Sequence, residues 1–183
     1  MRSSLVALLV ASACAKAPPP PVIGPVAEFT LVDQSGKPFG SADLRGKVWV
    51  ANFIFTRCTT ICPIFTEKMS QLEHKADASL RFVSFSVDPE YDSPPVLLDY
   101  ARAKGANLAR WSFLTGPIDA VKQTVVDSMK MTMDKDPQAT DPGIMIMHGT
   151  YFVLVDGKMQ IRGIYPMSDE TSGKRILADA ARI

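Results

Sequence analysis

The chain has 183 residues, 46% of them apolar, and carries 20 Lys and Arg against 19 Asp and Glu. That apolar share supports one packed core and excludes wholesale disorder, and the absence of any basic run or stripe argues against a nucleic-acid partner. Three cysteines are too few to staple a small scaffold, which leaves them free for chemistry.

The first residues, MRSSLVALLVASAC, place Arg2 ahead of an apolar run, Leu5 to Val10, and of small Ala11, Ser12 and Ala13. This is the order of a secretory signal, and the run falls well short of the ~20 residues that cross a bilayer. Residues 1–13 are therefore expected to be a signal peptide. Cys14 follows directly, as in a bacterial lipoprotein signal, where that cysteine is lipidated and becomes the mature N-terminus; ordinary cleavage after Ala13 is the competing reading. Residues 14–26 contain Pro18 to Pro21 in succession and read as a stiff linker that would lift a domain off a membrane. Either cleavage places the domain, residues 27–183, on the periplasmic side of a bacterial membrane, where paired thiols are normally oxidised.

From Ala27 onward short apolar strands alternate with segments of helical period. Glu28 to Val32 and the residues near Lys37 to Phe39 form an expected hairpin around Ser35-Gly36. Val48 to Phe55 (VWVANFIF) is almost wholly apolar, as suits a central strand buried on both faces. A helix beginning near Pro63 would set Phe65, Met69, Leu72 and Ala76 on one face. Leu80 to Val87 is a second buried strand. Ser93 and Pro94 open another helix, with Leu97, Tyr100 and Ala101 inward. Trp111 to Thr115 is a strand, and Ile118, Val121 and Val125 mark a helix to about Lys130. Met131 to Met147 has no clear period and is expected to be a long loop. Tyr151 to Val155 and Met159 to Tyr165 pair across an Asp156-Gly157 turn, and Ser168 to Ile183 closes with a helix carrying Ile176, Leu177 and Ala180. This order predicts a three-layer α/β domain with a mixed central sheet.

The strongest chemical feature is Thr56-Arg57-Cys58-Thr59-Thr60-Ile61-Cys62-Pro63, between the central strand and the first helix. Pro63 suits the first helical position, which makes Cys62 the expected cap residue, and a helix N-terminus favours a thiolate nearby, with Arg57 adding to it. Two such thiols form a redox couple, a soft-metal site or a static disulfide. His74, between Glu73 and Lys75, reads as a solvated surface residue. His148 sits between the long loop and a strand; with the two thiols it makes an S,S,N set that suits Cu(I) and is tolerable to Zn(II) or Cu(II).

FTRCTTICP, SVDPEYDSP (Ser86 to Pro94), WSFLTG (Trp111 to Gly116) and HGTYFVLVDG (His148 to Gly157) occur in this order and spacing. Together they resemble the Sco/SenC family of copper chaperones for cytochrome c oxidase assembly, from about Pro25 onward. The resemblance implies a thioredoxin-like fold and copper ligands at Cys58, Cys62 and His148. It also implies delivery to the copper A centre of cytochrome c oxidase subunit II or to another copper-accepting protein, with an extracytoplasmic thiol reductant keeping the cysteines reduced. Thr59 stands where proline is common in the family. Ile146 and Met147 replace a Val-Asp pair, so a carboxylate that would orient the imidazole is missing.

The alternative is a thiol–disulfide oxidoreductase using Cys58 and Cys62 to reduce cysteines of a copper-accepting partner. The three-residue gap favours chelation, and His148 has no required part in disulfide exchange. Asp88 and Asp92 are accounted for by a turn and a helix start. Met129, Met131, Met133, Met145 and Met147 are expected to pack the core or form a mobile contact surface rather than to ligate a second copper.

Overall fold

The computed structural model describes residues 17–135, 138, 141 and 146–183. The signal segment, Cys14 and Met145 lie outside the described residues. In chain order the elements are β1 (Gly24–Pro25), β2 (Thr30–Asp33), β3 (Pro38–Gly40), α1 (Ser41–Leu44), β4 (Trp49–Ile54), α2 (Ile61–Lys75), β5 (Arg81–Ser86), α3 (Pro94–Ala103) and β6 (Trp111–Thr115). They continue with α4 (Ile118–Lys122), extended by a π-helical turn over Gln123–Ser128, then β7 (Met133–Lys135), β8 (Ile146–His148), β9 (Tyr151–Val155), β10 (Gln160–Pro166) and α5 (Ser172–Ala180).

Eight strands form one mixed sheet in the order β1-β10-β9-β4-β5-β6-β2-β3. β4 and β5 pair in parallel, as do β5 and β6, through the crossover helices α2 and α3. Every residue of β4 is buried, as its nearly continuous apolar run requires of a strand covered on both faces. The register puts Asn52, Phe113 and Phe152 on the face packed by α2, α3 and α5, where Phe65 meets Phe152 at 4.7 Å and Tyr100 meets Phe113 at 6.2 Å between ring centroids. Phe29 meets Phe85 at 5.6 Å on the other face, and α4 supplies Val121, with Val125 and Met129 following it, all fully buried. This is the expected three-layer, thioredoxin-like arrangement.

Four expectations need correction. Residues 131–147 are not loop throughout: Met133–Lys135 and Ile146–His148 pair antiparallel as a separate ribbon, with Met133 opposite His148. The helix from Ile118 widens into a π-helical turn at Gln123, where Thr124 Oγ1 donates to the Ala120 carbonyl at 2.8 Å and competes with the backbone ladder. The β9–β10 connection runs over Asp156 to Met159, not over two residues. Asp156 Oδ1 accepts the N–H groups of Lys158 and Gln160, each at 2.9 Å, and Met159 takes φ 61°. Gly157 is required there, because a Cβ would come within 2.9 Å of the Gly46 backbone. Finally, the proline-rich segment does not stand off the domain from Pro18 onward. Arg182 Nη1 donates to the Pro18 carbonyl and Arg162 Nε to the Pro20 carbonyl, both at 3.0 Å, and Gly24–Pro25 add a strand to the sheet.

Candidate metal centre

β4 carries the chain to the site, and the loop after it folds back tightly, with Cys58 N–H donating to the Phe55 carbonyl at 3.2 Å. α2 then begins at Ile61 with Thr60 at the cap position. Cys62 is therefore inside the first turn and Pro63 is the third helical residue, which corrects the expected start. No first-turn N–H has an intrahelical acceptor, so proline fits anywhere in that turn and does not fix the first residue.

The two thiols are unbridged. Cys62 is fully buried and Cys58 is 5% exposed. The N–H of Cys62 donates to Cys58 Sγ at 3.3 Å, and Thr60 Oγ1 lies 3.7 Å from the same sulfur. The β7–β8 ribbon brings in His148, whose Nε2 lies 3.3 Å from Cys62 Sγ. Phe55 meets the imidazole edge-on at 5.6 Å. Nδ1 lies 3.3 Å from the Gly149 carbonyl, so a backbone oxygen takes the orienting part that the missing carboxylate would have played. With Nδ1 donating there, Nε2 keeps its lone pair for the Cys62 thiol or for a metal.

The cysteines are electrostatically unequal. Burial pushes the Cys58 thiol up, but hydrogen bonds from His148, the Cys62 backbone and thiol, and the Thr60 backbone outweigh it and bring it from 9.0 to about 6. Burial pushes the Cys62 thiol far up, offset only in part by the Phe55 backbone, and proximity to Cys58 raises it further. The imidazole Nε2, with its lone pair free, is placed to accept from the Cys62 thiol.

Arg57 is engaged by the turn that follows β5. Its Nη2 pairs with Asp88 at 2.5 Å and its guanidinium stacks over Tyr91 at 4.3 Å, while hydrogen bonds are the leading causes that lower the Cys58 thiol. Asp88 and Asp92 do close the expected turn, with the Tyr91 and Asp92 N–H groups donating to the Asp88 carbonyl. Their side chains do more. Asp92 is fully buried and accepts from Thr56 N–H at 3.1 Å, Thr56 Oγ1 at 2.5 Å and Ser86 Oγ at 2.6 Å. Burial holds its carboxyl above the usual carboxylate range, against the hydrogen bonds from Ser86 and Thr56. The two carboxylates thus clamp the residues just before Cys58. Sequence reading missed this positioning role; the only signal for it was the short spacing from the end of a buried strand.

His74 is a surface residue as expected, its Nδ1 2.7 Å from the Ser70 carbonyl. Met129, Met131 and Met133 are buried packing residues, and a Cβ on Gly149 would lie 3.0 Å from Met131 Sδ.

The donor chemistry fits a soft ion. An ion of zinc's size imposes roughly 3.5 Å between tetrahedral sulfur and nitrogen donors, close to the Cys62–His148 contact of 3.3 Å. Among the described residues no three Cys, His, Asp or Glu side chains are already closed into a metal shell. Cys58 Sγ accepts the Cys62 N–H on the same side of the loop.

A thioredoxin-like domain with a dithiol at a helix start and a histidine delivered to it by a distal ribbon is a protein equipped for soft-metal or thiol chemistry. The chain belongs to the SCO1/SenC family, which it matches over residues 21–183. It is 39% identical over 140 residues to the SCO1 protein homolog of Bacillus subtilis (strain 168), covering 73% of this chain and 70% of that protein. The match to the SCO2-like protein of Rickettsia felis, at 31% identity, spans only 63% of that relative's length. Among solved structures it resembles a SCO1/SenC family lipoprotein of Bacillus anthracis str. Ames (TM-score 0.77, 34% identity, 87% of this chain and 94% of that one). It is equally similar in fold to BsSco, a Sco-family cytochrome c oxidase assembly protein with an identified disulfide switch (TM-score 0.77, 32% identity, 91% and 96% covered). Copper-bound yeast Sco1 superposes with a TM-score of 0.72 at 26% identity, over 89% of this chain and 91% of that one.

Proposed function

We propose that this chain is an extracytoplasmic copper chaperone that carries Cu(I) as cargo on Cys58, Cys62 and His148. The recipient is the copper A centre of cytochrome c oxidase subunit II or another copper-accepting protein. The observation that carries this reading is the 3.3 Å approach of His148 Nε2 to Cys62 Sγ beside a second, acidic thiol. Cys58 is ionised at neutral pH and offers a thiolate at once, whereas Cys62 must lose its proton as the metal arrives. Ile64, Tyr91 and Tyr151, exposed at 51%, 48% and 41%, border these donors in sequence or through Arg57 and give an acceptor protein apolar surface to dock on. A lipid on Cys14 would hold the chaperone at the periplasmic face of the membrane.

A Cys58–Cys62 disulfide removes both sulfur ligands, so loading requires a thiol reductant first and metal second. The test is a Cu(I) titration of reduced and oxidised protein with free thiols counted in each. The reduced form takes one equivalent tightly and the oxidised form does not; equal tight binding by both overturns the assignment.

The unequal thiols support a second reading, disulfide reduction on the copper-accepting partner. Cys58 thiolate attacks a partner sulfur, forming a mixed disulfide and releasing one partner thiolate. Cys62 then loses its proton and attacks Cys58 Sγ, closing the Cys58–Cys62 disulfide and releasing the second partner thiolate. A Cys62→Ser variant should accumulate the mixed disulfide if this reaction occurs.

A further inference from the structure

The segment that joins the domain to Cys14 is pinned to the domain almost from its start. Besides the Arg182 and Arg162 bonds to Pro18 and Pro20, Ile23 N–H donates to the Ile161 carbonyl at 2.8 Å and Val26 N–H to the Met159 carbonyl at 2.7 Å. The pins are themselves fixed. Arg162 is 13% exposed and paired with Asp156 at 2.8 Å, and Arg182 is paired with Asp179. Only Ala15, Lys16 and Ala17 separate Cys14 from Pro18. Four residue steps reach at most about 14 Å. A lipid on Cys14 therefore leaves no room for the domain to stand away from the bilayer.

The surface at this attachment is apolar. Val22 and Ile23 on the pinned arm are exposed at 57% and 55%, and Ile183, next to the Arg182 that holds Pro18, at 38%. These are three of the seven large apolar side chains exposed among the described residues. Val22 and Ile23 lead into β1 at the sheet edge and Ile183 follows the Arg182 that bonds Pro18, whereas the cysteine loop leaves the C-terminal end of β4. No helix among the described residues is long and apolar enough to cross a membrane.

We propose that Val22, Ile23 and Ile183 form a membrane-contact face that seats in the headgroup region of the bilayer. The occupant is lipid because the chain outside the described domain leaves from this face and its anchor reaches no farther than about 14 Å. The proposal rests on the lipid anchor at Cys14. Its consequence is a fixed orientation: the arm edge faces lipid and the dithiol–imidazole site stays open to a protein partner.

The test uses full-length protein in vesicles of phosphatidylcholine and phosphatidylglycerol in which part of the phosphatidylcholine carries brominated acyl chains. Trp49 and Trp111 are fully buried, so tryptophan introduced at the surface is read by difference. Val22→Trp should be quenched by the brominated lipid about threefold more than Ile64→Trp, which sits beside the cysteines. Mass spectrometry of the same preparation reads the anchor independently. Protein lacking lipid on Cys14 overturns the anchor and this proposal together. Lipidated protein that floats with the vesicles yet gives equal quenching at the two positions overturns the contact face alone.

Discussion

His148 Nε2 stands 3.3 Å from Cys62 Sγ although the two are 86 positions apart in the chain. The β7–β8 ribbon holds His148 opposite Met133, and β9 then pairs with β4, the strand whose end launches the cysteine loop. The distal histidine and the dithiol thus meet because two neighbouring strands deliver them to the same region. Burial and hydrogen bonding also divide the labour of the thiols: burial raises Cys62, whereas hydrogen bonds, that of His148 foremost, outweigh burial at Cys58 and lower it.

That division predicts a pH profile. In the reduced protein, alkylation by iodoacetamide should modify Cys58 first, with a rate rising through pH about 6 and levelling above it. His148→Ala should move the midpoint upward by about one unit, because a hydrogen bond to the thiolate is lost. Cys58 ionises more readily folded than unfolded, so its stabilising effect is complete above pH 9.0 and is lost as pH falls through about 6. Peptide mapping after brief alkylation checks the order of modification; equal labelling of both cysteines at pH 7 contradicts it.

The Asp92 clamp predicts a stability loss coupled to a change at the site. Asp92→Ala leaves Thr56 N–H and two hydroxyls without their buried acceptor, which costs about 3 kcal/mol. Asp92→Asn keeps the shape and part of the bonding and costs about 1 kcal/mol. Urea denaturation measures the loss. Alkylation of Cys58 in the still-folded Asn variant should shift in rate, because the loop before it is released; an unchanged rate denies the clamp.

Arg110 and Glu73 give a prediction remote from the site. The Arg110 guanidinium bonds the Glu73 carboxylate and carbonyl and reaches the Asp77 carbonyl at 2.9 Å, with the two side chains 13% and 4% exposed. Arg110→Met strands a buried carboxylate and should cost about 3 kcal/mol, much of it recovered by adding Glu73→Gln. Thermal unfolding of the single and double variants reads this, and copper binding by the double variant should match wild type.

The sequence was most legible where burial alone decides structure. Trp49–Ile54 is apolar but for Asn52, Arg81–Ser86 holds Phe82, Val83 and Phe85 among small serines, and both are central strands. The start of α2 was less legible, because a proline satisfies any first-turn position and cannot mark the first residue. The β7–β8 ribbon was not legible at all. Three-residue strands carry too short a pattern to show alternation, and their pairing depends on where the chain returns. The cysteines and His148 were marked by a dense motif, but the clamp of Asp92 on Thr56 required knowing that β4 and β5 end side by side.

The central claim is that both cysteines and His148 hold the same copper ion. X-ray absorption at the copper K-edge of the reduced, Cu(I)-loaded protein tests it most directly. The account predicts two sulfur scatterers at about 2.2–2.3 Å and one imidazole nitrogen at about 2.0 Å. His148→Ala should lose the imidazole scattering while keeping both sulfurs. A wild-type spectrum with no imidazole contribution, or with fewer than two sulfurs, would contradict the proposed site.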